Sequence, residues 1–254
     1  MKIDLNSDLG ESYGRYVIGC DEKVVPLVTS VNAACGFHAG DPVVMKKTVK
    51  LAKEAGTAVG AHPGFNDLEG FGRRNMSLSY EELYSASLYQ LGALDAFLKA
   101  EGMKLQHVKP HGAMYNMAAK DPDMAKAILQ AVRDYDPSLI ILAAESGCLY
   151  QQAKLMGLRA AAEVFADRAY EEDGSLVSRN KPGAMITDEK EALARTLKMI
   201  KTKKVTAITG KEISIEVDSV CVHGDSATAL LFIEAIRKAC LEENIDLVPL
   251  TQIV

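Results

Sequence analysis

Residues 31–61, VNAACGFHAGDPVVMKKTVKLAKEAGTAVGA, give the clearest indication of the fold. Two apolar strand candidates, Val31–Ala34 and Ala58–Ala61, stand at the ends of this stretch. Between them, Asp41-Pro42 places a capping residue before a proline at the first helical position, and Gly56 follows the last helical residue. A strand, a helix and a strand in this order predict parallel strands with the helix packed outside the sheet.

The same alternation extends in both directions along the chain. Helix starts are marked by a capping-box pattern at Ser79 and Glu82, and by Asp121-Pro122, Thr187-Asp188 and Asp225-Ser226. Near-continuous apolar strands are typical of a sheet that is buried on both faces. We predict seven such strands, at Ile3–Asn6, Val31–Ala34, Ala58–Ala61, Gln106–Lys109, Leu139–Leu142, Ala160–Val164 and Ser219–Val222.

One region interrupts this rhythm. Val205–Val217 has the pattern of two short strands around Thr209-Gly210-Lys211, which predicts a small β-hairpin insertion before the last strand. No linker, repeat or low-complexity tract divides the chain, so we predict a single α/β domain over residues 1–254. The alternation fits both a closed parallel (β/α) barrel and an open doubly wound sheet.

The composition excludes several classes of protein. A chain of 254 residues with 48% hydrophobic and 25% charged residues is ordinary for a globular enzyme. The net charge of −5 and the lack of a basic stripe argue against a nucleic-acid partner. No apolar stretch approaches the ~20 residues of a membrane span, and we expect no signal peptide. Five scattered cysteines without a C-x-x-C pair indicate free thiols, and we expect a cytoplasmic protein.

Polar residues collect just after the predicted strands, where parallel barrels place their active sites. Four of the five histidines lie there, each beside glycine or proline, whereas His107 lies inside a strand and is predicted to be structural. The catalytic candidates are Asp8, Glu11, His38, His62, Lys109, His111, Asp167, His223 and Asp225. The substrate-binding candidates are Asn32, Arg73, Arg74, Arg168 and Arg179, since arginine suits carboxylate and phosphate.

Two further residues have a structural interpretation as well as a functional one. Asp4 lies within the first strand and fits either fold support or the site, while Cys35 is interpreted as a small buried residue. Recognised nucleotide loops are absent from the sequence, because Gly210-Lys211 is followed by Glu212 and no G-x-G-x-x-G follows a strand. A nucleotide site here would be unconventional or shared with another chain.

The sequence resembles the LamB/YcsF family along essentially its whole length. The motifs that carry the resemblance are DLNSDLGE at 4–11, NAACGFHAGD at 32–41, GAHPGF at 60–65, GFGRR at 70–74, VKPHGA at 108–113, AEVFADR at 162–168, LVSR at 176–179, PGA at 182–184 and VHGD at 222–225. The resemblance implies a seven-stranded (β/α) barrel related to glycoside hydrolases and polysaccharide deacetylases. It also implies an ATP-dependent 5-oxoprolinase that opens 5-oxoproline to L-glutamate, with ATP going to ADP and phosphate and with partner subunits B and C.

This implied reaction needs a base for water, an acid for the leaving nitrogen and cations for anionic groups. We expect Asp8 or Asp167 as the base. A histidine among His38, His62 and His111 would act as the acid or orient the water. The anion contacts would be Lys109, Arg73, Arg74 and Arg168.

Two alternatives remain open on the sequence. The chain is also compatible with a metal-dependent deacetylase or amidohydrolase acting alone, in which Asp8, His38 and His62 hold a divalent metal that activates water. A third interpretation is a non-catalytic subunit that binds the lactam and presents it to catalytic residues of a partner.

Overall fold

The computed structural model describes residues 1–222 and 227–254, and a closed barrel of seven parallel strands lies at its centre. The strands are β1 (Lys2–Leu9), β2 (Ser30–Ala34), β3 (Ala58–His62), β4 (Leu105–Val108), β5 (Ile140–Ala143), β6 (Arg159–Phe165) and β9 (Ser219–Cys221). The ring closes because β9 pairs in parallel with both β6 and β1, where Ser219 is in register with Glu163 and with Asp4. The predicted parallel barrel is therefore confirmed, and the open sheet is not.

Helices surround the barrel, and four of the described helices begin at the capping residues that the sequence predicts. They are α1 (Asp21–Val24), α2 (Pro42–Ala55), α3 (Tyr80–Ala100), α4 (Gly112–Ala118), α5 (Pro122–Tyr135), α6 (Cys148–Leu155), α7 (Glu189–Thr202) and α8 (Ala227–Glu242). Asp41 accepts hydrogen bonds from the first-turn amides of α2, and Gly56 ends that helix with φ of 70°. Ser79 and Glu82 form the predicted capping box. The helix start predicted at Asp225-Ser226 lies outside the described residues.

Two small β elements accompany the barrel. The predicted hairpin is confirmed, since β7 (Lys204–Thr206) and β8 (Glu212–Ser214) pair antiparallel before β9. A short strand that the sequence pattern did not predict, β10 (Asp246–Leu247), pairs in parallel with the first residues of β1. None of the described helices is both long and apolar enough to cross a bilayer.

Aliphatic side chains fill one part of the barrel interior. Ile141 of β5 belongs to the main core beneath the helices, whereas Ile140 and Leu142 pack with Ala161 and with Leu250 of the C-terminal 3-10 helix (Leu250–Gln252). Successive strand residues face opposite sides of a sheet, so Ile140 and Leu142 face inward. The polar side chains of the interior come from the other strands and from Glu163 of β6.

Candidate active site

The inner face of β1 is polar along its whole length. Asp4, Asn6 and Asp8 alternate with apolar or small residues, so their side chains share the interior of the barrel. Asp4 is buried and accepts hydrogen bonds from the hydroxyls of Thr29, Ser30 and Ser219. Burial raises the pKa of Asp4 to about 6, although these hydrogen bonds oppose the rise. The sequence left the role of Asp4 open, and its contacts are those of a buried support.

A directional chain of hydrogen bonds runs from Gln106 to Asp8. Gln106 Nε2 donates to His107 Nδ1 over 3.1 Å, and His107 Nε2 donates to Asn32 Oδ1 over 2.6 Å. The Asn32 amide then donates to Asn6 Oδ1 and to Asp8 Oδ1, each over 2.7 Å. Burial lowers the pKa of His107 to about 3, so this ring is neutral and carries one proton. The chain fixes the Asp8 carboxylate, and it gives His107 and Asn32 a positioning role.

Lys109 follows β4 and joins two carboxylates inside the barrel. Its ammonium lies 2.9 Å from Asp8 Oδ1 and 2.7 Å from Glu163 Oε1, with Asn6 Oδ1 at 3.3 Å and Cys221 Sγ at 3.2 Å. Burial alone would lower the pKa of Lys109, but the neighbouring carboxylates outweigh it and raise that pKa well above its usual value. Burial also raises the pKa of Glu163, against the opposing effect of Lys109. One cation thus holds two carboxyl groups in a nearly dry site.

Three histidines and one glutamate form a second cluster beside Asp8. We call Glu11, His38, His62 and His111 the histidine cluster; they come from the loops or ends of the first four strands. The rings of His38 and His111 stack with centroids 3.8 Å apart, and the ring of His62 lies perpendicular to both. Burial and then the neighbouring histidines lower the pKa of His38 well below its usual value and that of His111 to about 2.

Two glycines make room for these rings. A Cβ atom on Gly64 would lie 2.5 Å from His38 Nδ1, and one on Gly72 would lie 2.6 Å from His38 Cβ and 2.9 Å from His111 Cδ2. Gly72 also has φ of 62°, a conformation that favours glycine. Gly64 and Gly72 therefore permit the close packing of the imidazoles.

The four arginine candidates differ in what they contact. Arg73 is exposed and lies over the Phe71 ring with its guanidinium carbon 5.1 Å from the centroid, and its charge contributes to the low pKa of His38. Arg74 binds Asp67 and lies 3.6 Å from Glu69. Arg168 is buried and donates to the carbonyl of Val177. Arg179 is exposed in the loop after Val177, and its charge acts on Arg168.

The structure brings together six of the nine catalytic candidates: Asp8, Glu11, His38, His62, Lys109 and His111. Asp167 lies after β6, close enough for its charge to act on Cys221 and Arg168. His223 and Asp225 lie outside the described residues.

The set of residues able to hold a metal differs from the one expected. Within residues 1–222 and 227–254, the metal-compatible group is Glu11, His38, His62 and His111. Asp8 lies next to it, with Oδ2 3.4 Å from His62 Nε2, but its Oδ1 binds Lys109. In the set of possible metal ligands, Glu11 and His111 therefore replace Asp8, while His38 and His62 remain.

Asn6, Glu163 and Cys221 contact Lys109 but were not among the candidates from the sequence. The signal that could have found Asn6 is the alternation of Asp4, Asn6 and Asp8, which is typical of a strand with a polar inner face. Glu163 lies on β6 and directly follows the three alanines at 160–162. Cys221 carries no local signal, since its contact depends on the closure of the barrel.

Comparisons with known proteins agree along nearly the whole chain. The sequence matches the LamB/YcsF family over residues 3–254. It is 58% identical over 252 residues to a Clostridium beijerinckii protein named as the A subunit of 5-oxoprolinase, covering 99% of each chain. A Staphylococcus aureus protein of the same name is 53% identical over 247 residues, covering 97% of this chain and 99% of that one. The crystal structure of the lactam utilization protein from Thermus thermophilus superposes with a TM-score of 0.93 at 47% identity, covering 98% of this chain and 99% of that one.

Proposed function

Because the chain belongs to the LamB/YcsF family, we propose that it is the A subunit of a 5-oxoprolinase, which hydrolyses the lactam ring of 5-oxoproline to L-glutamate. Relatives that share more than half of its residues over their whole length bear that name. The observation that carries the proposal is the buried Lys109, held between Asp8 and Glu163 at the carboxyl ends of the strands.

The reaction is coupled to ATP, because a five-membered lactam is stable and a poor electrophile. Transfer of the terminal phosphoryl group to the lactam oxygen makes the ring carbon electrophilic and releases ADP. Water then adds to that carbon and gives up a proton to a base, and the C–N bond breaks as the nitrogen gains a proton. A second water releases phosphate, so that 5-oxoproline, ATP and two waters give glutamate, ADP and phosphate.

Asp8 is the base in this proposal. Its side chain is 14% exposed, so water can reach it, whereas Glu163 is fully buried. The hydrogen bonds from Asn32 and Lys109 both go to Oδ1, and Oδ2 points toward the histidine cluster. A base must lie within hydrogen-bond reach of the water that it deprotonates, and this fixed carboxylate meets that need.

Lys109 and Arg73 are the cations for anionic groups. Lys109 stabilises negative charge that develops near Asp8, in a site where burial strengthens electrostatic interactions. Arg73 is exposed beside the histidine cluster, where its guanidinium suits the carboxylate of 5-oxoproline or a phosphate. The sequence contains no recognised phosphate-binding loop, so an ATP site in this chain would be unconventional or shared with the partner subunits B and C.

The test is the release of glutamate from 5-oxoproline with ATP, by this chain alone and in a mixture with subunits B and C. We expect activity only in the mixture. Asp8→Asn and Lys109→Met should each lower the turnover of the mixture by roughly 10²- to 10⁴-fold, the range for loss of a general base or an electrostatic stabiliser.

Two exposed residues of α5 provide matched controls. Asp123→Asn and Lys126→Met make the same chemical changes on the outer surface and should leave turnover unchanged. Wild-type turnover by folded Asp8→Asn and Lys109→Met proteins would refute the catalytic site. If such variants kept full turnover while the chain bound 5-oxoproline, it would instead be a non-catalytic lactam-binding subunit.

The histidine cluster favours a second candidate function. A metal-dependent amidohydrolase acting alone would use such a cluster to activate water. The same assay separates the two functions, because this candidate requires hydrolysis by the chain alone, without ATP, that stops when a chelator is added.

A further inference from the structure

Two ring nitrogens face each other at the centre of the histidine cluster. His62 Nδ1 lies 2.7 Å from the carbonyl oxygen of Lys109, and His111 Nε2 lies 2.8 Å from that of Phe71. A carbonyl oxygen only accepts hydrogen bonds, so these two nitrogens donate to the carbonyls. The opposite nitrogens, His62 Nε2 and His111 Nδ1, therefore face each other over 3.0 Å. Ring nitrogens this close are joined by a shared proton or by a cation bound between them.

His38 and Glu11 point at the same place. His38 is buried, and neither of its ring nitrogens makes a hydrogen bond among the described residues. Its Nε2 lies 3.4 Å from Glu11 Oε1, which is 3.6 Å from His111 Nδ1. One ligand atom from each of the four residues lies within 4.8 Å of all the others. In a tetrahedral site with bonds of about 2.1 Å, ligand atoms are roughly 3.4 Å apart.

We propose that Glu11, His38, His62 and His111 bind one divalent transition-metal ion, with zinc as the best fit. Imidazole nitrogens with a single carboxylate suit zinc and, next to it, cobalt, nickel and iron. The ring N–H groups of His62 and His111 are both donated to backbone carbonyls, which is how metal-binding histidines are usually oriented. Calcium and magnesium prefer sites made of oxygen ligands.

The proposed metal site lies next to the residue assigned as the catalytic base. Asp8 Oδ2 lies 3.4 Å from His62 Nε2, so a bound ion would neighbour the carboxylate assigned as the base. The four protein ligands fill a tetrahedral site, so an ion here would supply Lewis acidity only to a carbonyl oxygen or a water that adds as a fifth ligand. The inference rests on ligand geometry alone and needs neither the lactam nor the partner subunits.

The experiment measures metal binding to the untagged, full-length chain, since a histidine tag would itself bind metal. The chain is stripped with a chelator, and zinc binding is followed by titration calorimetry, with cobalt binding followed by visible absorption. We expect one ion per chain. Glu11→Gln and His111→Gln should each weaken zinc binding on the order of 100-fold or more, above the effect of removing an outer hydrogen bond.

A matched control lies outside the cluster. Glu54→Gln changes an exposed glutamate of α2 and should bind zinc as the wild type does. Wild-type chain that binds none of zinc, cobalt or nickel at saturation would overturn the proposal. So would folded cluster variants that bind zinc as tightly as wild type.

A second measurement covers variants that fail to fold. In the cobalt form of the wild-type chain, proton NMR should show strongly shifted, exchangeable imidazole N–H signals from His62 and His111, and their absence would also refute the site. Because no lactam is present, loss of 5-oxoproline turnover would leave this result unaffected, so the two proposals fail separately.

Discussion

Lys109 is the residue on which the charges of the interior converge. It is 2% exposed and contacts both Asp8 and Glu163, so removing it would leave the buried carboxyl of Glu163 and the partly buried carboxyl of Asp8 without their cation. Loss of one partner from a buried ion pair is strongly destabilising, whereas removal of both is often close to neutral. The ionised form of Glu163 is therefore stable in the interior only while Lys109 is present.

We predict that Lys109→Met lowers the free energy of unfolding at pH 7 by about 3–5 kcal/mol. Adding Glu163→Gln should recover part of this loss, because one of the two stranded carboxyl groups is then neutral. Denaturant unfolding of the two single variants and of the double variant measures the coupling. Additive losses would show that Lys109 and Glu163 do not interact energetically.

The raised pKa of Asp4 predicts that the stability of the protein depends on pH. This pKa is about 6 in the folded protein against 3.8 in the unfolded chain, so folding favours the protonated carboxyl. The stability from this group is complete below pH 3.8 and is lost as the pH rises through 6. A difference of this size corresponds to about 3 kcal/mol.

The stability of wild type relative to Asp4→Asn should therefore fall by about 2 kcal/mol between pH 4 and pH 7. Denaturant unfolding at a series of pH values gives this difference, and Asp123→Asn on the surface is the control that should show none of it. A constant difference between wild type and Asp4→Asn would mean that Asp4 is ionised throughout.

At the scale of elements, β3 and β4 pack closely because Gly60 of β3 has no side chain. A Cβ atom on Gly60 of β3 would lie 2.1 Å from His107 Nε2, the atom that donates to Asn32. Both are buried between strands, so neither can move away freely. The glycine thus permits the hydrogen-bond chain that ends on Asp8.

We predict that Gly60→Ala displaces His107, destabilises the protein by about 1–3 kcal/mol and lowers turnover with the partner subunits. Gly92→Ala in α3 is the matched control, since its Cβ would meet nothing within 4 Å. Alanine there should stabilise the protein by about 0.5–1 kcal/mol. Thermal unfolding and glutamate release measure both variants, and equal behaviour of the two would contradict the packing role of Gly60.

At the scale of the molecule, exposed apolar side chains border the mouth of the barrel. Tyr13, Tyr16 and Val17 lie in the loop that follows β1 and Glu11, and Tyr16 and Val17 are 77% and 84% exposed. Gly14 N donates to Asp41 Oδ2 at the start of α2, which holds this loop beside the site. A partner subunit that completes the active site must cover this side of the barrel.

We predict that a Tyr16→Ser, Val17→Ser double variant loses binding to subunits B and C by at least 10-fold, while its fold and its metal content stay unchanged. Leu155→Ser is the control: it is 78% exposed but ends α6, at the opposite end of the barrel. Co-purification and analytical ultracentrifugation of the mixtures measure assembly. Equal loss by both variants, or by neither, would place the contact elsewhere.

The sequence alone predicts the order of the seven barrel strands, the caps at the starts of α2, α3, α5 and α7, and the strand ends that carry polar residues. These depend on neighbours a few positions apart, such as Asp41 before Pro42 or Ser79 before Glu82, so local chemistry is sufficient. The residues that cluster at the mouth, from Asp8 to His111, were predicted for the same reason. Parallel strands bring their carboxyl ends to one side whatever the details of packing.

Which of these side chains contact one another depends on the tertiary structure. Closure of the ring through β9 brings Cys221 and Glu163 to Lys109, and the packing of Gly64 and Gly72 lets His38 stack on His111. For His62 and His111, the ring nitrogen that donates is set by the backbone carbonyls of Lys109 and Phe71, which lie far away in the chain. Register, closure and hydrogen-bond direction are set by contacts between distant segments, and no local pattern encodes them.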